Sequence, residues 1–288
     1  MQGSCKHLYP MKPDQTTIPD MNAVVGSHDI VFITLDTLRY DVAKRLFEAG
    51  ELPVLGQYLP LGGWERRHSP ASFTYAAHHA FFAGFLPTPE QPGRHARLFA
   101  TAFQGSETTS AHTCVFEQES VLAGVSAMGY RTICIGGVGF FNKRTALGRV
   151  LPGMFDESHW APALGVTQRR STERQVALAI QRMQELGKQR VFLFINVSAI
   201  HFPNRVYLPG CGSDNIDSHA AALRYVDAAL APLFTASAAR SPTFAIVCSD
   251  HGCAYGEDGY EGHRLAHETV WNVPYAHFFI KPQEASPS

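Results

Sequence analysis

Apolar residues along this chain follow two rhythms. Short runs rich in β-branched and aromatic residues read as strands buried on both faces: DIVFITLD (29–36), YRTICIGG (130–137), RVFLFINVSAI (190–200) and TFAIVCSD (243–250), with YAHFFI (275–280) as a fifth. Amphipathic patterns fall between them. STERQVALAIQRMQELG (171–187) opens on Ser171 and Thr172, sets Val176, Ile180 and Met183 on one face, and closes at Gly187. DSHAAALRYVDAALAPLF (217–234) does the same with Leu223, Val226 and Leu230, and EQESVLAGVSAMG (117–129) does so more weakly. SFTYAAHHAFFAGFLP (72–87) reads as a helix entered through Ser and Thr. Strands alternating with helices predict βαβ units, an α/β fold and a mostly parallel central sheet in one domain. Residues 1–27 read as an N-terminal extension, 93–112 as loop or short helix near a site mouth, and 283–288 as a frayed tail.

The bulk numbers narrow the partners. The chain has 288 residues, 45% hydrophobic and 17% charged, enough for a sizeable core. Net charge is −1, so no basic face is expected and nucleic acid is excluded as the expected partner. The opening MQGSCKHLYPMKPDQTTIPDMN is polar and broken by prolines, which predicts no secretory leader, and no apolar run reaches membrane-spanning length. The 6 cysteines form no CxxC pair, so the expectation is a reduced, cytoplasmic protein. The 14 histidines leave room for a metal site. Oligomeric state is not legible.

Ligands of open α/β sheets bind beyond the carboxyl ends of the strands, so those ends are where chemistry is sought. The first strand ends in Asp36, the third runs out to His201, and the fourth ends in Ser249-Asp250-His251-Gly252. Each has a plain reading: Asp36 as a helix cap, His201 as a loop residue, Asp-His-Gly as a turn. Together they place carboxylate and imidazole groups at one sheet edge, a donor set suited to zinc or another first-row metal. Thr74 is either a helix N-cap or a hydroxyl nucleophile at a helix N-terminus that favours negative charge, and the pattern alone leaves both open.

The segments DIVFITLDTLRYDVA, TYAAHHAFFAGFLP, MGYRTICIGG, RYVDAALAPL and VCSDHGCAYGEDGYEGHRLAHETVWNVP resemble, in order, landmarks of the alkaline phosphatase superfamily. The similarity is strongest to its sulfatase-like, phosphodiesterase and phosphoethanolamine-transferase branches. It covers roughly 29–282 and implies a three-layer sandwich. It also implies metal ligation by Asp36, Asp250 and His251, with Thr74 as nucleophile and fourth ligand. His78 would follow from the first helical turn and face the same mouth. His201 and His263 would hold a second metal or the substrate phosphate. Two departures, Thr74 where sulfatases need Cys or Ser, and AH where they carry SR, argue against sulfate esters. No carboxylate precedes His201, so a second ion is left open.

The resemblance therefore implies metal-dependent hydrolysis of a small anionic phosphate ester through a phosphothreonine intermediate, with Zn2+ as the ion and Mn2+ as its alternative. Transfer to another acceptor and a sulfatase-like esterase are the rival readings. His267 and Glu257 are second-tier candidates. Phe140, Phe141, Trp160 and Tyr255 are candidates for an apolar leaving-group pocket, with core packing the expected role for any one of them.

Overall fold

The computed structural model describes residues 18–83, 97–99, 113–115 and 120–282. Its centre is a sheet of strands β1 (Asp29–Leu35), β2 (Glu65–His68), β3 (Arg131–Ile135), β4 (Glu157–His159), β5 (Val191–Val197), β6 (Thr243–Cys248) and β7 (Asn272–Ile280). The spatial order is β2-β7-β6-β1-β5-β3-β4. Strands β6, β1, β5, β3 and β4 are parallel neighbours, while β7 runs antiparallel to both β6 and β2. The mostly parallel sheet expected from the apolar runs is present. The polar edge strands β2 and β4, ERRH and ESH, carry no apolar signal and were not expected.

Alternation along the strands sorts side chains onto two faces. Val31, Ile33 and Leu35 of β1 join Leu193, Ile195 and Val197 of β5 in one core layer. That layer is covered by helices α1 (Tyr40–Glu48), α4 (Ser171–Glu185) and α5 (Ile216–Arg240). Ile30 and Phe32 of β1 join Phe192 and Phe194 of β5 on the other face, beneath α2 (Thr74–Ala83) and α3 (Val121–Ala127). Each fully buried Leu or Phe in these layers contributes roughly 1.5–3 kcal/mol. The result is an α/β three-layer sandwich.

Two boundaries differ from expectation. Helix α5 runs through Pro232 and ends at Arg240, six residues past the expected Phe234: Ala236 and Ala238 still pack against the core, and the buried Ser237 hydroxyl donates to the Leu233 carbonyl at 2.9 Å. In the 93–112 segment, residues 97–99 pair in parallel with 113–115. The remainder of that segment, most of the N-terminal extension and the 283–288 tail lie outside the described residues.

Candidate metal centre and active site

Asp36 follows directly on β1, and Asp250 and His251 follow two residues after β6, the strand beside it. Parallel pairing brings these ends together. Thr74 opens α2 above them. All four are buried. Thr74 Oγ1 lies 3.5 Å from Asp36 Oδ2 and 3.3 Å from His251 Nε2. His251 Nε2 is 3.8 Å from Asp36 Oδ1 and 3.6 Å from Asp250 Oδ2. The helix-cap readings of Asp36 and Thr74 find no support in this geometry. Asp36 caps nothing, since Arg39 is the N-cap residue of α1. The Thr74 hydroxyl turns to Asp36 and His251 rather than to its own helix.

Backbone geometry fixes each group. His251 Nδ1–H donates to the Gly252 carbonyl at 2.9 Å, which leaves Nε2 bare toward the two carboxylates. Gly252 is required by close approach: a Cβ there would lie 2.0 Å from the Thr269 carbonyl oxygen. Thr37 adopts a left-handed φ of 65° and turns its N–H onto Asp250 Oδ1 at 3.3 Å. The Asp250 carbonyl accepts from Ser69 Oγ.

A metal ion fits the donor set. Asp36 Oδ1 and Asp250 Oδ2 are buried oxygens with no hydrogen-bond partner, a costly state that a cation relieves. Candidate ligand atoms of Asp36, Asp250 and His251 all lie within 4.8 Å of one another. Without an ion, burial pushes the Asp36 carboxyl up to about 6, with the facing Asp250 adding to the rise. Burial likewise pushes Asp250 up to about 7, and it lowers the His251 imidazole. Two carboxylates, an imidazole and a hydroxyl form a set suited to zinc or manganese.

Behind this centre runs a polar chain whose hydrogen-bond directions are determined. Asn196 Oδ1 accepts from the Gly137 and Val138 N–H groups, so its amide nitrogen faces Asp36 Oδ2 at 3.1 Å and Thr34 Oγ1 at 3.4 Å. The Thr34 hydroxyl is then free to donate to His78 Nε2 at 3.0 Å, and His78 Nδ1–H donates to the Thr74 carbonyl at 2.7 Å. His78 is thus a neutral imidazole, and burial drives its pKa down to about 3. This corrects the expectation that His78 faces the mouth. It is fully buried, both ring nitrogens are engaged, and Phe82, Phe141 and Phe194 pack around the ring.

His201 and His263 stand at the mouth, with ring centroids 5.6 Å apart; the His263 ring lies 4.6 Å from that of His251. His201 Nδ1–H donates to the Phe202 carbonyl at 2.5 Å, leaving Nε2 available. His263 Nδ1 is buried without a partner, and its pKa is lowered to about 3 by burial and by the neighbouring histidines. Among the described residues, neither joins the three-residue ligand group. The second-tier candidates are structural. His267 caps the short helix Glu268–Trp271, and Glu257 pairs with Arg39.

The mouth opens into a cavity of about 880 Å³ lined by Phe140, Trp160, Arg144 and Arg264 besides Thr74 and the two histidines. Phe140 and Trp160 therefore line the cavity, although core packing was the expected role for any one of the four aromatic candidates. Phe141 is core behind His78, and the Tyr255 hydroxyl bonds His219 and Asn204. Asn196, Arg144 and Arg264 are absent from the sequence reading. Asn196 carried a usable signal, since it is the single polar residue in the buried run VFLFINV and stands in register with Thr34. The arginines carried none.

An α/β sandwich with a carboxylate–imidazole–hydroxyl centre at the carboxyl ends of its strands is the class these features define, and its fold is similar to that of solved structures that include phosphoethanolamine transferase domains and a protein of the alkaline phosphatase superfamily. No family model matches the chain, and no curated protein matches it in sequence. Solved structures do. The soluble domain of lipooligosaccharide phosphoethanolamine transferase A from Neisseria meningitidis superposes with a TM-score of 0.62 at 16% identity, covering 89% of this chain and 78% of that one. The C-terminal periplasmic domain of EcEptC from Escherichia coli, in complex with Zn, gives 0.59 at 13% identity, covering 88% and 74%. A protein of the alkaline phosphatase superfamily from Vibrio parahaemolyticus gives 0.55 at 16%, covering 90% and 62%. The chain spans 48% of the integral membrane form of the Neisseria transferase.

At these identities the likeness is one of fold. It overturns the expectation of a cytoplasmic protein. That expectation rested on cysteine usage and a missing leader, whereas the fold recurs in periplasmic domains, including that of Escherichia coli EcEptC. Among the described residues, no helix is long and apolar enough to cross a membrane.

Proposed function

We propose that the chain is a metal-dependent hydrolase of phosphate esters that works through a phosphothreonine at Thr74. The observation that carries this reading is the convergence of Thr74 Oγ1, His251 Nε2 and two partnerless carboxylate oxygens in one buried pocket beneath an open mouth. Asp36, Asp250, His251 and Thr74 would hold the ion, with Zn2+ the first choice and Mn2+ the second. Bound there, it would supply Lewis acidity and favour the ionised Thr74 hydroxyl.

The chain's own residues do the rest. Thr74 Oγ forms a bond to phosphorus as the bond from phosphorus to the leaving oxygen breaks, and the Thr74 hydroxyl proton passes to solvent. His201, in its protonated form, gives a proton from Nε2 to the leaving oxygen. Water then attacks phosphorus on the opposite side from Thr74 Oγ. Its proton returns to His201 Nε2, and Thr74 Oγ regains a proton from solvent. His263 and Arg264 bind the non-bridging oxygens. His78 holds the first turn of α2, and Asn196 holds Asp36.

Transfer to an alcohol in place of water is the second reading, favoured by the transferases that share the fold. One experiment separates the readings. Purified protein is assayed for bound metal, then for turnover of aryl phosphate and aryl sulfate with and without glycerol. Inorganic phosphate as the product supports hydrolysis, and glycerol phosphate as the main product supports transfer. Full activity in Thr74→Ala, or faster turnover of the sulfate, would sink the proposal.

A further inference from the structure

The described wall of the cavity at Thr74 carries two arginines and two histidines and no aspartate or glutamate. The chain as a whole has a net charge of −1, so this is a local arrangement rather than a bulk excess of base. The Arg144 guanidinium lies over the Trp160 ring, 4.9 Å from its centroid, and that of Arg264 lies 5.5 Å from the centroid of Phe73. Both arginines are exposed to the cavity, their guanidinium groups lying against aromatic rings. Among the described residues, neither pocket arginine has an acidic partner.

The backbone at both is unusual. Four non-glycine residues in the described chain have positive φ: Thr37, Lys143, Asp258 and Arg264. Three of these lie at the site or beside a pocket arginine. Arg264 itself sits at 70°, with its N–H donating to the Ser72 carbonyl at 2.9 Å, which ties it to the segment leading into Thr74. Arg144 follows Lys143 at 58°, and its N–H donates to Asn142 Oδ1 at 2.8 Å. Left-handed non-glycine residues are costly and collect where a side chain must be aimed.

Resting on the phosphate-ester reading above, we propose that the substrate is an ester of a flat, apolar alcohol that carries a second negative charge. Arg264 belongs to the phosphoryl end. Arg144, stacked on Trp160, receives the second anion, while Trp160 and Phe140 pack against the apolar body between. A leaving group bearing an ammonium would meet only like charge on this wall and no carboxylate, so the same pocket rejects it.

The test uses metal-loaded full-length protein and three matched esters: phenyl phosphate, 3-carboxyphenyl phosphate and 3-(trimethylammonio)phenyl phosphate. The ammonio group makes its phenol the better leaving group, so a preference for the carboxylate runs against intrinsic reactivity. The expected order of kcat/KM is carboxyphenyl, then phenyl, then ammoniophenyl, in steps of about 10-fold. Arg144→Ala brings the carboxyphenyl-to-phenyl ratio to about 1, and Arg144→Lys restores part of it. Equal rates on the three esters, a preference for the ammonio ester, or an unchanged ratio in Arg144→Ala would overturn the proposal.

A binding measurement separates this failure from failure of the underlying reading. Calorimetric titration of metal-loaded Thr74→Ala protein is expected to show carboxyphenyl phosphate binding about 10-fold tighter than phenyl phosphate. Equal affinities overturn the anion subsite even where turnover is seen. Tighter binding with no turnover of any ester by the unmodified protein supports the subsite and removes the hydrolase.

Discussion

The floor and the wall of this site are built on different principles. The floor consists of Asp36, Thr74, Asp250 and His251. All are buried, and all are seated on strand ends or the first turn of a helix. Asp36, Asp250 and His251 are further oriented by donors on neighbouring elements or their own backbone. The wall runs through 137–148, 160–167 and 262–264, is rich in glycine, and carries exposed arginines stacked on aromatic rings. The floor tolerates one chemistry because its groups are held by the sheet itself. The wall sits in connections that can change without disturbing the sheet, and there, on the proposed function, the choice of ester would be made. Floor substitutions should therefore abolish the reaction or the metal, and wall substitutions should redistribute substrates.

The largest expected effect is at the floor. Thr74→Ala removes the hydroxyl that lies within 3.5 Å of both Asp36 and His251 and should lower kcat on aryl phosphate by at least about 10³-fold. Bound metal should fall far less, since three ligands remain. A variant that keeps activity within a few-fold would break the distinction at its root.

Metal removal tests why the floor is buried. Without an ion, Asp36 and Asp250 are raised to about 6 and about 7, chiefly by burial, against about 4 for an unfolded carboxyl. A carboxyl raised on folding contributes its stability in full below the unfolded value and loses it as pH rises through the folded one. The metal-free protein should therefore weaken from about pH 4 to about pH 7, by an amount on the order of a few kcal/mol. The loaded protein, whose carboxylates face a cation, should not. Chelation should thus lower Tm more at pH 8 than at pH 5, as read by differential scanning calorimetry. An equal drop at both values would mean that the two carboxyls are not the binding groups.

How much of this was legible in the chain follows the same division. Asp36 and Asp-His-Gly at 250–252 stand at the ends of apolar runs, and a parallel sheet forces such ends to one edge, so their meeting could be read before the fold was seen. Thr74 was read as a choice between cap and nucleophile, and its hydroxyl turns to Asp36 and His251 rather than to its own helix, which speaks against the cap. His78 was misplaced because its distance along the helix was legible while the rotation of α2 was not. That rotation is set by Phe82 and Tyr75 packing into the layer beneath. The edge strands β2 and β4 escaped because a polar edge lacks the apolar period. Arg144 and Arg264 escaped because nothing in the pattern of a connection says which cavity it borders.

His78 extends the floor one residue inward. Its ring joins Thr34 to the Thr74 carbonyl, so His78→Phe keeps the packing volume and loses two hydrogen bonds. Stability should fall by about 1–3 kcal/mol, since buried partners are left unpaired. The cost in kcat should be about 10-fold through a displaced nucleophile, with KM little changed. Urea unfolding alongside steady-state kinetics measures both. Unchanged kcat in a folded His78→Phe protein would detach this histidine from the reaction.

The adjacent histidine is the control with the smallest expected effect. His79 is also nearly buried, and burial lowers its pKa to about 4. Its Nε2 has no partner, and its ring lies on Tyr75 at 4.4 Å between centroids. A neutral, partly unsatisfied imidazole packed against an aromatic ring is a position where an apolar ring of similar size serves as well. His79→Phe removes a buried polar atom without stranding another, so stability should hold or rise by up to about 1 kcal/mol. Activity should stay within two-fold of the parent, an order-of-magnitude bound set by a side chain that reaches neither the ligands nor the cavity. The pair is informative because the two residues differ by one position on the same helix. A large loss in His79→Phe, equal to that in His78→Phe, would show that α2 responds to any change in its packing, and would leave the hydrogen-bonded chain through His78 without a role of its own.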